Sequence, residues 1–266
     1  DTSSLSVSSY QTTSTGVGVN FGIPVSEYDT IRLGFTAENT ELTLDPFSAP
    51  PRYLDFVNIF GESTNTFRAN IGYARDSRDS LTYPTRGWLT EVTLEVGMPP
   101  GDLTYYRASL QQQFLWTPAR IPWLTLLMNA ELGYADGYDD KPLPFFKNFY
   151  AGGVGSVRGF EAASLGPVDL NGDVLGGNRR VIGNLELLFP MPGIKDKSVR
   201  LSGFVDAGNV WGAEQEVSGS DLRASAGVAM SWDSPVGPLK FSYAYPFKTK
   251  DIDRVERFQF QLGRIF

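Results

Sequence analysis

Apolar and polar residues alternate with a period of two along almost the whole chain. Val17, Val19, Phe21 and Ile23 are interleaved with Gly16, Gly18, Asn20 and Gly22, and Ile31, Leu33, Phe35 and Ala37 with Arg32, Gly34, Thr36 and Glu38. The same rhythm returns around Phe67–Tyr73, Trp88–Val96, Tyr106–Phe114, Leu124–Tyr134, Val181–Phe189, Val199–Val205, Ala224–Trp232, Leu239–Phe247 and Arg257–Phe266. Successive side chains of a strand point to opposite faces, so this spacing predicts 11 strands, each with one apolar and one polar face. One stretch follows a different spacing. Tyr53, Phe56, Val57 and Phe60 fall at helical spacing after Pro50-Pro51, which predicts a short helix inside a long connection.

Two all-β architectures compete for such strands. In a soluble sandwich the apolar faces pack on each other and the polar faces meet water. Here the polar faces mix Gly with Arg, Glu, Asp and Gln, and many apolar faces carry Tyr, Trp or Phe near the strand ends. That distribution suits a lipid-facing band with aromatic girdles around a polar lumen, and so an antiparallel transmembrane β-barrel. Connection lengths point the same way. Short links at Val25–Tyr28, Thr117–Pro122, Met191–Lys197 and Asp233–Pro238 alternate with long ones at Leu44–Thr64, Gly137–Arg179, Gly212–Asp221 and Lys248–Val255. Outer-membrane barrels pair short periplasmic turns with longer outer loops. With the C-terminus placed in the periplasm, the medium link at Asp76–Arg86 lies inside and the one at Met98–Asp102 outside, and the alternation holds throughout.

Eleven strands leave the first and last running in the same direction, whereas single-chain bacterial barrels have even strand numbers and antiparallel neighbours. Either Thr2–Tyr10 supplies a weak twelfth strand, or the chain is a fragment of a larger barrel. The fragment is the favoured expectation, with residues 1–266 forming one partial barrel domain in which a short twelfth strand can still form.

Composition narrows the function. The 266 residues contain no Cys and no His, which removes disulfides, thiolate or His-ligated metal sites, Cys nucleophiles and the commonest general base. The expectation is a protein that is not an enzyme and carries no cofactor or metal. A net charge of −7 without a Lys/Arg cluster argues against nucleic-acid binding. No apolar run reaches the roughly 18 residues of a spanning helix. The chain opens at Asp1-Thr2-Ser3-Ser4 without a charged segment followed by an apolar one, as in a mature or trimmed exported protein.

The longest connection contains Lys147-Asn148-Phe149-Tyr150-Ala151-Gly152-Gly153 and then Ser156-Val157-Arg158-Gly159-Phe160. Further on come Phe204-Val205-Asp206-Ala207-Gly208 and Ser234-Pro235-Val236-Gly237-Pro238-Leu239 followed by Phe241-Ser242-Tyr243-Ala244. Asp79 precedes Tyr83-Pro84-Thr85-Arg86-Gly87. Together these resemble the signature loop, the Phe-x-Asp-x-Gly strand and a periplasmic turn of the BamA-type outer-membrane assembly factors, from about Thr13 to the C-terminus. The Arg-Gly-Phe motif is shared with the two-partner secretion transporters. The resemblance implies a loop folded back into the lumen, whose Arg158 pairs with acids on the inner wall.

Strand parity points Glu186 and Asp206 inward, along with Asn184 and Ser202. An unpaired guanidinium in a confined lumen costs about 3–5 kcal/mol, so Arg158 with Glu186 and Asp206 forms the central constellation. A lone arginine in a long loop is otherwise a solvated residue. Gly152, Gly153, Gly155 and Gly159 let the backbone turn sharply toward the wall, or simply make the loop flexible.

At the C-terminus Phe258, Phe260 and Leu262 share one face and the chain stops at Phe266, resembling the export signal of outer-membrane barrels, although Arg264 stands where many substrates are apolar. Any terminal barrel strand shares this pattern. The resemblance adds a specialised role, in which the seam between first and last strands opens and substrate strands insert there, and Gly263 weakens the closing strand.

The implied function is outer-membrane protein assembly through that seam. The implied partners are outer-membrane lipid, unfolded β-barrel proteins and accessory lipoproteins, the last reached mostly through periplasmic domains that lie outside these residues. The alternative is a pore secreting a partner protein. The Ser-Pro-Val-Gly-Pro-Leu turn and Phe-Ser-Tyr-Ala strand favour the assembly factor. A passive porin lacks its charge ladders here, and a barrel hydrolase lacks its usual base.

Overall fold

The computed structural model describes residues 2–7, 10–44, 49–81, 83–193, 198–234 and 237–263. Among these residues twelve strands form one antiparallel sheet in which every strand pairs with its neighbours in sequence. They are β1 (Thr2–Val7), β2 (Tyr10–Pro24), β3 (Asp29–Leu44), β4 (Ser63–Asp76), β5 (Gly87–Met98) and β6 (Tyr105–Trp116). Then follow β7 (Thr125–Gly137), β8 (Arg179–Pro190), β9 (Val199–Trp211), β10 (Arg223–Ser234), β11 (Gly237–Lys248) and β12 (Phe258–Leu262). A helix, α1 (Pro51–Phe60), lies between β3 and β4.

The segment before the first alternating strand does supply a twelfth, with Thr2 opposite Thr15 and Val7 opposite Tyr10. Among the described residues no ladder joins β1 to β12, so these two are the edges of the sheet. One element differs from expectation. The link at Asp233–Pro238 is tighter, because Asp233 pairs with Pro238 and Ser234 with Gly237. Within the described residues the last strand runs Phe258–Leu262 and Gly263 adopts φ +88°, a left-handed conformation, while 264–266 of the expected strand lie outside the described residues.

The outward face explains why the alternation is so regular. Val19, Phe35, Ile71, Leu132, Leu187, Val228, Tyr243 and Phe260 are all exposed, and within the single sheet no second layer covers them. Such a face is unfavourable in water and favourable against acyl chains. The inward face is a polar lattice. Arg68 lies 3.4 Å from Glu38 and 3.3 Å from Glu95, Arg180 lies 2.9 Å from Glu131, and Asn129 bridges Gln111 and Asn184.

The sheet is curled, as one contact makes plain. The turn of residues 77–86, between β4 and β5, meets the turn before β9, four strands away and roughly 20 Å distant on a flat sheet at ordinary strand spacing. Tyr83 Oη donates to the Ser198 carbonyl at 2.8 Å, and Arg200 donates to the carbonyls of Pro84 and Tyr83. Within the turn Asp79 accepts from the Thr85 amide (2.7 Å), the Thr85 hydroxyl (2.5 Å) and the Arg86 amide (3.1 Å). Partial burial raises this carboxyl's pKa, but the hydrogen bonds from Thr85 and Arg86 outweigh it and hold the carboxyl below its ordinary value.

At the long-loop end α1 starts on Pro51 and stops at Gly61, whose φ of +84° ends the helix while its amide donates to Val57. Tyr53 and Phe56 pack on Phe145 at ring separations of 3.9 and 5.4 Å, with Leu42, Leu103 and Leu143 around them. The connections thereby form an apolar cap over that end of the concave face.

Candidate functional site

The connection of residues 138–178 enters the concavity and docks on the inner wall at three successive places. At the first, Lys147 Nζ lies 2.8 Å from Glu95 on β5, which also accepts from the Tyr105 hydroxyl at 2.6 Å. At the second, Phe149 is buried over Gly133 of β7, where a Cβ would come within 2.7 Å of its ring. Arg107 of β6 and Arg180 of β8 hold their guanidinium carbons 4.2 and 5.2 Å from the centre of that ring, and Phe149 exchanges backbone hydrogen bonds with Gly177.

The third place brings together the two sequence motifs. Asp206, with no exposed surface, accepts from the Arg158 backbone amide (3.0 Å), Nε (2.7 Å) and Nη2 (2.8 Å). Glu186 accepts from Arg158 Nη1 at 3.3 Å and is bonded in turn by Ser202 Oγ. Asn184 donates to Asp206 Oδ1 at 2.9 Å and to the Ser156 carbonyl at 2.7 Å. The guanidinium carbon stands 3.5 Å from the centre of the Phe204 ring.

Period-two geometry accounts for the strand motif. Phe204, Asp206 and Gly208 share the inner face of β9; the first stacks on Arg158 and the second pairs with it. The third makes room, because a Cβ on Gly208 would come within 2.8 Å of Val157. Val157 and Phe160 are fully buried with Ala151, Leu165, Ile182 and Val210. Gly152, Gly153 and Gly159 all have positive φ (+108°, +90° and +89°), and a Cβ at Gly159 would stand 2.9 Å from Ala244 on β11.

At the end of the chain Phe258, Phe260 and Leu262 face outward and are exposed. Gly263 donates its amide to Pro238 at 2.8 Å. Phe266, Arg264 and the Pro235-Val236 part of the turn motif lie outside the described residues.

The inner side of β12 carries a residue that the periodicity does not single out. Gln259 is buried and donates Nε2 to the Phe160 carbonyl at 2.6 Å, while its Oε1 accepts from the Gly159 amide at 3.0 Å. Its only signal in the sequence is a polar position between two phenylalanines. A second buried pair is equally silent there. Arg223 of β10 grips Asp253 in the connection before β12 (Nη2 to Oδ1 2.9 Å), and it also donates to Asn209 at 2.8 Å. Among the described residues no group of three or more His, Cys, Asp or Glu is placed to hold a metal ion. The arrangement positions a loop and a strand.

The sequence model of the Omp85 superfamily domain matches residues 2–266. The outer membrane protein assembly factor BamA of Neisseria meningitidis serogroup B is 41% identical across 99% of this chain, which covers 37% of that protein. The crystal structure of BamA from Haemophilus ducreyi lacking POTRA domains 1–3 superposes with a TM-score of 0.84 at 28% identity, over 94% of this chain and 54% of that one. CdiB from Acinetobacter baumannii gives a TM-score of 0.60 at 15% identity, over 95% of this chain and 42% of its own, a likeness of fold alone. The chain thus spans about a third to a half of the length of these relatives.

Proposed function

The chain belongs to the Omp85 superfamily, and from that premise we propose that it is the membrane-spanning part of a BamA-type assembly factor, which inserts unfolded β-barrel proteins into the outer membrane at the edge of its terminal strand. The observation that carries this reading is the pairing of a firmly seated loop with a weakly held edge. Arg158 is buried against Asp206 and Glu186, while among the described residues β12 shows five residue pairs with β11 and no ladder on its other side.

An unpaired backbone group in lipid costs several kcal/mol, so an entering strand must pair as it enters, and an open edge at membrane depth supplies that template. On this reading the short-turn end and the C-terminus face the periplasm. There the full-length protein carries the domains that meet accessory lipoproteins, and the residues placed in the candidate site act by positioning and not by catalysis. The test is site-specific photocrosslinking from Leu262 while the full-length protein inserts a β-barrel substrate into vesicles, with Leu94 in the middle of the wall as comparison.

A further inference from the structure

The terminal strand is held from two directions. On its edge, among the described residues, it has five pairs with β11 (Phe258–Leu262), flanked by backbone bonds from Ala244 to Arg257 and from Gly263 to Pro238. From inside the concavity the inserted loop takes over. Gly159–Glu161 lies antiparallel to Arg254–Glu256: Glu256 donates its amide to the Gly159 carbonyl (3.0 Å), Glu161 donates to the Arg254 carbonyl (2.9 Å), and Phe160 is bridged to Val255. Where the chain then turns into β12, the Gln259 side chain continues the strip. Its amide accepts from the Gly159 N–H and donates to the Phe160 carbonyl, the two hydrogen bonds that a backbone peptide group would make. The two loop atoms belong to the two residues that follow Arg158, whose seating on Asp206 fixes where they stand.

We propose that Gln259 is a positioning residue that couples β12 to the inserted loop, so that the seating of Arg158 on Asp206 sets how firmly the terminal strand stays paired to β11. This rests on the reading that the barrel parts at the edge of β12. With the loop seated, Gly159 and Phe160 offer a fixed donor and acceptor and β12 has an anchor on its inner face. With the loop lifted, that inner anchor is gone and, among the described residues, the backbone bonds to β11 remain. Only an amide of this length meets both needs. A carboxylate at this position would accept from Gly159 but would face the Phe160 carbonyl and Glu256, which already lies 3.3 Å from Gln259 Nε2.

The test is hydrogen exchange on the full-length protein in lipid vesicles without substrate, following β12 against β10. Gln259→Leu and Gln259→Glu are expected to speed exchange over residues 258–262 about tenfold, the scale of one or two lost hydrogen bonds, while β10 and the unfolding temperature stay unchanged. In an Arg158→Ala background, adding Gln259→Leu is expected to change β12 exchange less than about twofold, because the anchor is already lost. Three results overturn the coupling: β12 exchange unchanged in both variants, equal acceleration through β10, or an undiminished effect of Gln259→Leu when Arg158 is absent. The function stands or falls separately. Substrate crosslinking at Leu262 without this exchange pattern sinks the coupling alone, and the exchange pattern without crosslinking sinks the seam reading alone.

Discussion

Asp206 is fully buried and takes two hydrogen bonds from the Arg158 guanidinium, so removing that side chain leaves a buried carboxylate without its counter-charge. Breaking one partner of a buried ion pair costs about 3–5 kcal/mol, and Arg158→Ala is expected to lose stability on that scale, read as a lower unfolding temperature of the full-length protein in vesicles. Arg158→Lys is expected to recover part of the loss. It keeps the charge but lacks the planar fork that reaches both oxygens of Asp206 and the face of Phe204. Unchanged stability in both variants would mean that the arginine is a solvated loop residue after all. Asp79 gives a pH-dependent counterpart outside the wall. Its carboxyl is held below the ordinary value near 3.8 by Thr85 and Arg86, so the stabilisation is present at neutral pH and lost as pH falls through the lowered value. Asp79→Asn should therefore flatten the acid limb of the stability profile below about pH 4, and an unaltered limb would refute the assignment. At this scale the sequence was legible where a motif named the residue, as for Arg158, Asp206 and Gly208. Gln259, Arg223 and Asp253 were not, because one inward polar side chain in an amphipathic strand or loop looks like any other until its partner is known.

Elements were easier to read than their ends. Alternation marks β2 to β11 because each has a lipid face and a lumen face, and the same period located the short turns and long loops. It was silent on β1, where Thr2-Ser3-Ser4-Leu5-Ser6 offers little apolar contrast and only the ladder with β2 makes the strand. Near the end of β12 a period of two does not register that Gly263 turns left-handed. The docking of the long loop at Phe149 was also hidden, since the socket is partly an absence: the missing side chain of Gly133. Gly133→Ala places a Cβ within 2.7–3.0 Å of the Phe149 ring and is expected to destabilise by about 1–3 kcal/mol, seen as faster exchange of residues 145–151 than of the Arg158 segment. Equal protection of the two segments in that variant would show that the loop docks as one unit rather than at separate places.

Across the whole molecule, the outward apolar face, the polar inner lattice and the inserted loop are consequences of one constraint: backbone groups in lipid must pair with each other. Among the described residues a meander of neighbouring strands satisfies this everywhere except at its two edges, β1 and β12. The overall architecture was therefore legible from periodicity and connection lengths, while the pairing state of the edges was not, because it depends on contacts rather than on pattern. Photocrosslinking during insertion tests the edge most directly. The expected result is substrate adducts through its terminal strand from a probe at Leu262 on β12, with at least about tenfold less adduct from Leu94 on β5, a difference of roughly 1.4 kcal/mol in occupancy. Equal adduct from the two positions, or insertion proceeding with none at Leu262, would contradict it.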